Sequence, residues 1–566
     1  MTYYNPKIPE KNGEFICIPS LNLIPQLIKS NKEKFKAYNF TIGDEDFHNL
    51  RDKIRKKVIQ LSEEFTANLG IRSHLYNNAD TIVQTGHQPI FYHPGIIIKN
   101  LILNKIGMME GINAINLIVD TDNFEEIAVN IPDYRDCIKI DEEVLLSNQH
   151  PIPYEFSAPP LQEAFNLFIE SIKNHLSHPQ FKNLHDNFNR YINKMSDVQN
   201  NFKTLSEFMT VIRRIYEDEI ESKYLEIPLS YICNTDEFLL FFLSIAMESE
   251  KFTSIYNCHL ERYRKEHKLR YPVNPFPDLK ADGKKIELPF WYFHNNKRDE
   301  IFVECNIEMV NIYFGRENEI RLKRTEIDKG IKILKKGNIK IRPKAIILTL
   351  FNRMFVSDAF IHGVGGAKYD RITDNIIRDF YNVEPPDFVT ASLTLYPDII
   401  KGQDKQPPQS PLTKGELKGV VPFIKEELQE NIKKLEKKLR DMRYNPERYS
   451  KDNVLLREKE NLVSLMEIAS ASPRNDICEF CHSDPESSSR EESRFTKKEI
   501  SIKLKEINER IYQKIKPAVE GVESEMKILK KKQEELEVIQ RRDYPYFLFS
   551  SNDIIKIIDS ISQRGK

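Results

Sequence analysis

Apolar positions from Phe35 to Leu69 recur at roughly helical spacing, and the charged stretch RDKIRKKVIQLSEEF gives that segment a solvated face, so helix is predicted there. The pattern then changes. Thr81-Ile82-Val83-Gln84 is short and β-branched, runs into Thr85-Gly86-His87-Gln88-Pro89, and is followed by Pro94-Gly95 opening the apolar run IIIKNLILNKIGMM. This order predicts strand, loop, helix. A second apolar run, Ile112 to Val119, ends in Asp120-Thr121-Asp122, as a buried parallel strand does when it delivers acidic residues beyond its carboxyl end. The whole unit reads as a βαβ crossover.

Residues 151 to 270 carry long segments with helical spacing, among them Leu161 to Leu176 and Leu205 to Tyr224, and Phe238 to Met247 is apolar nearly all round, as a buried helix would be. Between Tyr271 and Val310 the pieces PFPDL, IELPFWYF and EIFVECNIEMV predict a small sheet. Ile346 to Phe355 is apolar again, strand or buried helix, and leads to a glycine-rich loop at His362 to Asp370 and a helix from Ile372 to Tyr381. Residues 402–420 are Pro/Gly-rich and polar, the chemistry of a linker or insertion. Beyond them Leu428, Ile432, Leu435, Leu439 and Met442, and later Leu504, Ile507, Ile511, Ile515, Val519, Val522, Met526 and Leu529, step by threes and fours like coiled-coil seams. An antiparallel arm over 421–541 is expected, with a disordered excursion at 471–495 and a kink or interruption at Pro517. Tyr544 to Phe549 should return to the body as a strand, followed by a last helix near Asn552 to Ser562, so 542–566 closes onto a core formed by 1–400 with a helical insertion at about 150–270.

Composition narrows the function classes. The 566 residues are 40% hydrophobic with 24 Tyr and 33 Phe, so most of the chain should fold. Lys+Arg of 84 against Asp+Glu of 85 leaves a net charge of -1 and no global attraction to nucleic acid or an anionic membrane; an anion has to be met by a local pocket. No export signal or membrane-spanning run is visible, and seven scattered Cys suit reduced thiols, so a cytoplasmic location is expected.

Three motifs carry candidate chemistry. Thr85, Gly86, His87 and Gln88 precede a helix, where backbone amides can hold a phosphate or carboxylate and an imidazole can donate to it, although Gly-His also simply closes turns. Asp120 and Asp122 can receive an ammonium group, ribose hydroxyls or Mg²⁺, or else cap a following helix. In His362-Gly363-Val364-Gly365-Gly366-Ala367-Lys368-Tyr369-Asp370 the glycines let backbone wrap an anion, Lys368 adds charge, and His362 and Asp370 suit proton transfer or orientation; the alternative is a tight turn with a surface lysine. Arg342 and Arg353 are candidate clamps for carboxylate or phosphate, or ordinary ion pairs. Cys478-Glu479-Phe480-Cys481-His482 spells a haem-attachment pattern, but it lacks export and a surrounding pocket, so neither haem nor a resident metal is expected.

The TGHQP turn before a helix, DTDNFEE after the next strand, Arg342-Pro343 followed by an apolar run and a Gly-Gly segment, and the late helical arm occur in an order that resembles the bacillithiol-biosynthesis cysteine-adding enzyme family. Thr85, Gly86 and Gln88 match that family's TGQQ-like turn, with His87 where it has Gln; Asp120 and Asp122 match its DHD-like pair, with Thr121 for the His; Gly365 and Gly366 match its glycine pair, with Ala367-Lys368 departing from its continuation. The resemblance implies an α/β fold: a Rossmann-like parallel sheet core related to nucleotidyltransferases of the HIGH signature, with helical insertions and a C-terminal antiparallel coiled coil that mediates homodimerisation. It also implies a ligase-like enzyme that adds cysteine to an amine acceptor, glucosaminyl malate in the family, in the biosynthesis of a low-molecular-weight thiol. Activating the carboxylate would call on ATP or ADP with Mg²⁺. Under that expectation His87, Asp120, Asp122 and Lys368 are catalytic, and Thr85, Gly86, Gln88, Arg342, His362, Gly363, Gly365, Gly366 and Asp370 bind substrate or nucleotide. The other readings are a nucleotidyltransferase that stops at the adenylate and a non-catalytic coiled-coil scaffold.

Overall fold

The computed structural model describes residues 6–76, 80–195, 202–271, 275–315, 318–399, 417–471 and 496–564. Contacts divide the chain into two compact units, Met1–Pro407 with Ile539–Lys566, and Pro408–Val538.

The larger unit is a mixed α/β structure around a mostly parallel six-stranded sheet. Its strands are β1 (Glu14–Ile18), β2 (Thr81–His87), β3 (Ile112–Ile118), β4 (Leu225–Pro228), β5 (Ala359–His362) and β6 (Val389–Thr394), lying in the order β1-β6-β5-β2-β3-β4. Every pair is parallel except the edge strand β1, which runs antiparallel to β6. The chain steps outward from β2 to β3 to β4, then returns to lay β5 on the other side of β2. At such a reversal the loops leaving the two neighbouring strands diverge, and the crevice outside their carboxyl ends is the usual ligand position in an open parallel sheet. Here those ends are Gly86-His87 and His362-Gly363.

Local chemistry explains the elements that frame this crevice. Helix α1 (Pro94–Gly107) starts on a proline whose missing N–H costs nothing at a first helical position, and the Nδ1 of His93 accepts a 3.0 Å hydrogen bond from the Gly95 amide. The helix is apolar on nearly all sides and buried accordingly, as is α2 (Asp236–Met247), capped by Thr235. α2 packs its phenylalanines against an antiparallel sheet comprising Lys285–His294, Lys297–Cys305, Met309–Phe314, Asn318–Lys323 and Lys340–Pro343; the rings of Phe242 and Phe290 meet edge to face at 5.0 Å.

Several expectations are corrected. The strand predicted at Thr81–Gln84 continues through the proposed loop to His87, because pairing with β3 persists to His87 against Ile118. Asp120-Thr121-Asp122 caps no helix; it leads into a long hairpin, Asn123–Tyr134 with Ile138–Pro153. The Phe35–Leu69 segment is two helices, Ile24–Lys36 and Phe47–Asn68, separated by a short strand pair. Of the two readings left open for Ile346–Phe355, strand or buried helix, the structure shows the helix. The glycine-rich segment is no loop, since α3 (Val364–Tyr381) begins directly after Gly363. The aromatic run at Tyr544 forms a single helical turn, Tyr546–Leu548, in place of a strand; its Phe547 stacks on Tyr191 at 5.6 Å, and the hydroxyls of Tyr191 and Tyr546 lie 2.9 Å apart.

The smaller unit is built from α4 (Leu417–Tyr444), α5 (Asn453–Ala471) and most of α6 (Lys497–Ile539). Leu455, Leu462 and Ala469 meet Ile500, Ile507 and Ile511; Leu439 and Met442 meet Ile515, Val519 and Val522; Leu428 and Ile432 meet Leu536. Two helices in succession therefore run antiparallel to one long partner. Asn445 and Pro446 break the first line into two, and α6 continues through Pro517 without interruption. Residues 402–416 of the expected linker, and 472–495 of the expected excursion with its Cys478 to His482 motif, lie outside the described residues. No described helix is long and apolar enough to cross a membrane.

Candidate active site

Three segments distant in sequence meet at the crevice. Lys99, from α1, is 4% exposed and donates a 2.7 Å hydrogen bond from Nζ to the carbonyl of Gly86 at the end of β2. Its stem lies beside Gly363 at ordinary van der Waals distance: a Cβ there would stand 4.0 Å from Cδ. Gly363 is the N-cap of α3, in extended conformation and with no side chain to cap the helix, so the first-turn amides of Val364, Gly365 and Gly366 open where the helix dipole is positive. Burial and the neighbouring Arg213 bring the Lys99 ammonium down to about 7, so the group sits near the midpoint of its titration at neutral pH. A lysine so placed is suited to hold an anion or to move a proton.

His87 ends β2 beside this lysine. Its ring meets that of Tyr92 edge to face at 5.2 Å, and burial together with Lys99 pushes the imidazole down to about 3, so it is neutral over the whole physiological range. A neutral imidazole can donate from one nitrogen without bringing a charge. The carbonyl of His87 accepts from the Val119 amide, which ties the turn to the acidic segment. Gln88 reaches across from Nε2 to Asp122 Oδ2, 3.0 Å away, and Arg298 stands 3.4 Å from the other oxygen. Gln84, two residues before Gly86, is fully buried, and among the described residues neither of its amide atoms has a hydrogen-bond partner.

The two aspartates separate. The side chain of Asp122 is 45% exposed at the rim, whereas Asp120 is 3% exposed and accepts hydrogen bonds from the amide and hydroxyl of Ser230, at 2.9 and 2.5 Å. Burial, reinforced by the neighbouring Glu155, raises the Asp120 carboxyl to about 7 against the opposing Ser230 bonds and Arg342. Of the pair, Asp122 alone is open to an ammonium group or to Mg²⁺ carried in on phosphates.

Other expected site residues are engaged internally. Thr85 is fully buried and donates its hydroxyl to the Ile361 carbonyl at 2.8 Å, joining β2 to β5. Arg342, expected as a clamp for a ligand, grips Glu155 through two nitrogens at 2.6 and 3.2 Å in a buried ion pair, and also donates to Asn234. Asp370 and His362 face each other, not a crevice anion: Nε2 lies 2.8 Å from Oδ2, off the angle of a hydrogen bond, and Arg353 binds the same oxygen at 2.6 Å. Burial works against ionisation of Asp370, yet Arg353 and His362 outweigh it and hold the carboxyl well below the ordinary range. Gly366 leaves room for His362, since a Cβ there would stand 3.0 Å from Nδ1. Lys368 lies one turn into α3, half-buried.

The sequence reading passed over Lys99, Arg298, Glu155 and Ser230. Lys99 left a usable signal: it is an ionisable residue within IIIKNLILNKIG, where an apolar helix would otherwise be buried on every side. Among the described residues, Asp133, Asp141 and His175 have spacing for a metal, but Arg135 already pairs with both aspartates at 2.8 and 2.6 Å. No family model matches the chain, and no curated protein matches it.

Proposed function

We propose that this chain is a ligase-like enzyme that joins an amino-acid carboxylate, cysteine being the first to try, to an amine acceptor. The observation that carries this reading is the meeting of Lys99, the carbonyl end of β2 and the uncapped start of α3 at the strand-order reversal. A carboxylate oxygen is a poor leaving group in water; transfer to the α-phosphate of ATP, with loss of pyrophosphate, turns it into a good one, and attack by the amine then releases AMP. The protein's part is placement and charge stabilisation. In this reading the first-turn amides of α3 and Lys99 hold phosphate, neutral His87 donates to the developing anion, and Asp122 receives an ammonium group or Mg²⁺. The orphaned amide of Gln84 is a further group suited to a polar ligand. The strand order and crevice support a Rossmann-like core, and the antiparallel apolar seams of α4, α5 and α6 support a coiled-coil arm through which two copies would associate.

The test is incubation with ATP, cysteine and a set of amino-sugar acids, following pyrophosphate release and amide formation by mass spectrometry. Both products are expected, with Lys99→Met and His87→Ala each losing about 10²–10³ in turnover, as removal of one charge-stabilising donor does, while both variants still melt in a single cooperative transition. Pyrophosphate without amide would point to a nucleotidyltransferase, and no nucleotide turnover would favour a scaffold.

A further inference from the structure

Away from the crevice, the helix Gln162–His175 packs along both strands of the hairpin Asn123–Tyr134 and Ile138–Pro153. Its last residue, His175, puts one ring nitrogen on each strand: Nδ1 stands 3.0 Å from Asp133 Oδ1, and Nε2 stands 2.7 Å from Glu143 Oε1. A neutral imidazole has one N–H and one lone pair, so it can donate to only one carboxylate and must turn its lone pair on the other. Both contacts are hydrogen bonds only in the imidazolium. The side chains of His175, Asp133 and Glu143 are 17%, 14% and 19% exposed, so water screens these charges little. The helix end adds its negative pole, which favours a cation on the last residue.

The surrounding charges share the same logic. Arg135, at the hairpin turn, bridges Asp133 at 2.8 Å and Asp141 at 2.6 Å, so that Asp141, Arg135, Asp133, His175 and Glu143 alternate in sign when the imidazole is protonated. On the helix itself Lys173 pairs with Glu170 at 2.9 Å, and just past its end His178 stacks on Tyr134 of the hairpin at 3.8 Å. Loss of the His175 proton leaves three carboxylates around one arginine. We propose that His175 is a pH-sensitive latch: protonated, it fastens the hairpin to the helix, and on losing its proton it lets the hairpin go. Burial works against the charged ring, yet the bonds to Asp133 and Glu143 outweigh it and hold the imidazole above its ordinary 6.5. Burial of Asp133 is likewise outweighed, by His175 and Arg135, and its carboxyl is held below the ordinary range. A group raised in the folded state contributes its full stability below the unfolded value and loses it as pH rises through the folded one. The hairpin leaves the crevice rim directly after Asp122, so the latch sits near the far end of an element that begins at the site. It does not rest on the proposed ligase activity.

The test is hydrogen exchange of the full chain followed by mass spectrometry across a pH series. Exchange at the imidazole C2–H gives the titration midpoint of His175, and amide exchange over 133–143, corrected for the chemical rate at each pH, reads the hairpin. The midpoint is expected above 6.5 and should fall in Glu143→Gln, which removes one acceptor of the charged ring. Amides over 133–143 should exchange severalfold faster above the midpoint than below it, and His175→Gln should lose that pH dependence. A midpoint at or below 6.5, a midpoint unmoved by Glu143→Gln, or hairpin exchange that is flat across it would overturn the latch. So would a pH dependence that persists in His175→Gln, as ionisation of Asp120 at the hairpin base would produce.

Discussion

Asp120 and Asp122 stand two residues apart and occupy different media. Asp122 keeps half its surface in water, while Asp120 is enclosed with Ser230, Glu155 and Arg342 around it. The folded-state pKa of Asp120, about 7, lies above its ordinary 3.8, so the stability it contributes is full below about pH 4 and is lost as pH rises through 7. Asp120→Asn removes that dependence. Between pH 4 and 8 the melting temperature of the variant should gain on that of the parent, and parallel curves would show Asp120 ionised throughout. From sequence the two acids looked equivalent, because spacing places both at a strand's end and says nothing of which one the hairpin beyond will cover. Lys99 was legible only in part: a lysine inside an apolar helix stands out in the sequence, but only the sheet order reveals what its ammonium meets.

At the scale of elements, the glycines of the two motifs do different work. Gly86 lies within β2, where a Cβ would stand 2.9 Å from the Leu117 carbonyl oxygen, so Gly86→Ala should cost about 1–3 kcal/mol in urea unfolding, as overpacking does. Gly365 has nothing within 4 Å of a built Cβ and is helical, so Gly365→Ala should be neutral or add about 0.4–1 kcal/mol. The reverse order of costs would mean that the close packing of β2 on β3 is not what fixes the glycine there. The strand–helix–strand unit from Thr81 to Ile118 was legible because β-branched, apolar and turn residues fall in blocks. The start of α3 was not, since three glycines in four residues oppose helix by propensity; packing of Val364, Ala367 and Asp370 overrides it. Nor was β4, whose four residues LEIP follow the Leu205–Asp218 helix too closely for periodicity to separate them.

For the whole molecule, an α/β body and a separate helical unit follow from composition breaks and heptad-like spacing, and the contacts divide the chain near the same places. The strand order does not follow, because it depends on β5 returning beside β2 from more than two hundred residues away. That return creates the crevice, and with it the claim that an anion is held between Lys99 and the start of α3. Calorimetric titration with inorganic pyrophosphate, on the parent and on Lys99→Met, addresses this directly. A charge-assisted hydrogen bond contributes roughly 1.5–3 kcal/mol, so the variant should bind about tenfold or more weakly while melting no lower than the parent. Equal affinity in the two proteins, or no pyrophosphate binding by either, would contradict the placement of the anion at this crevice.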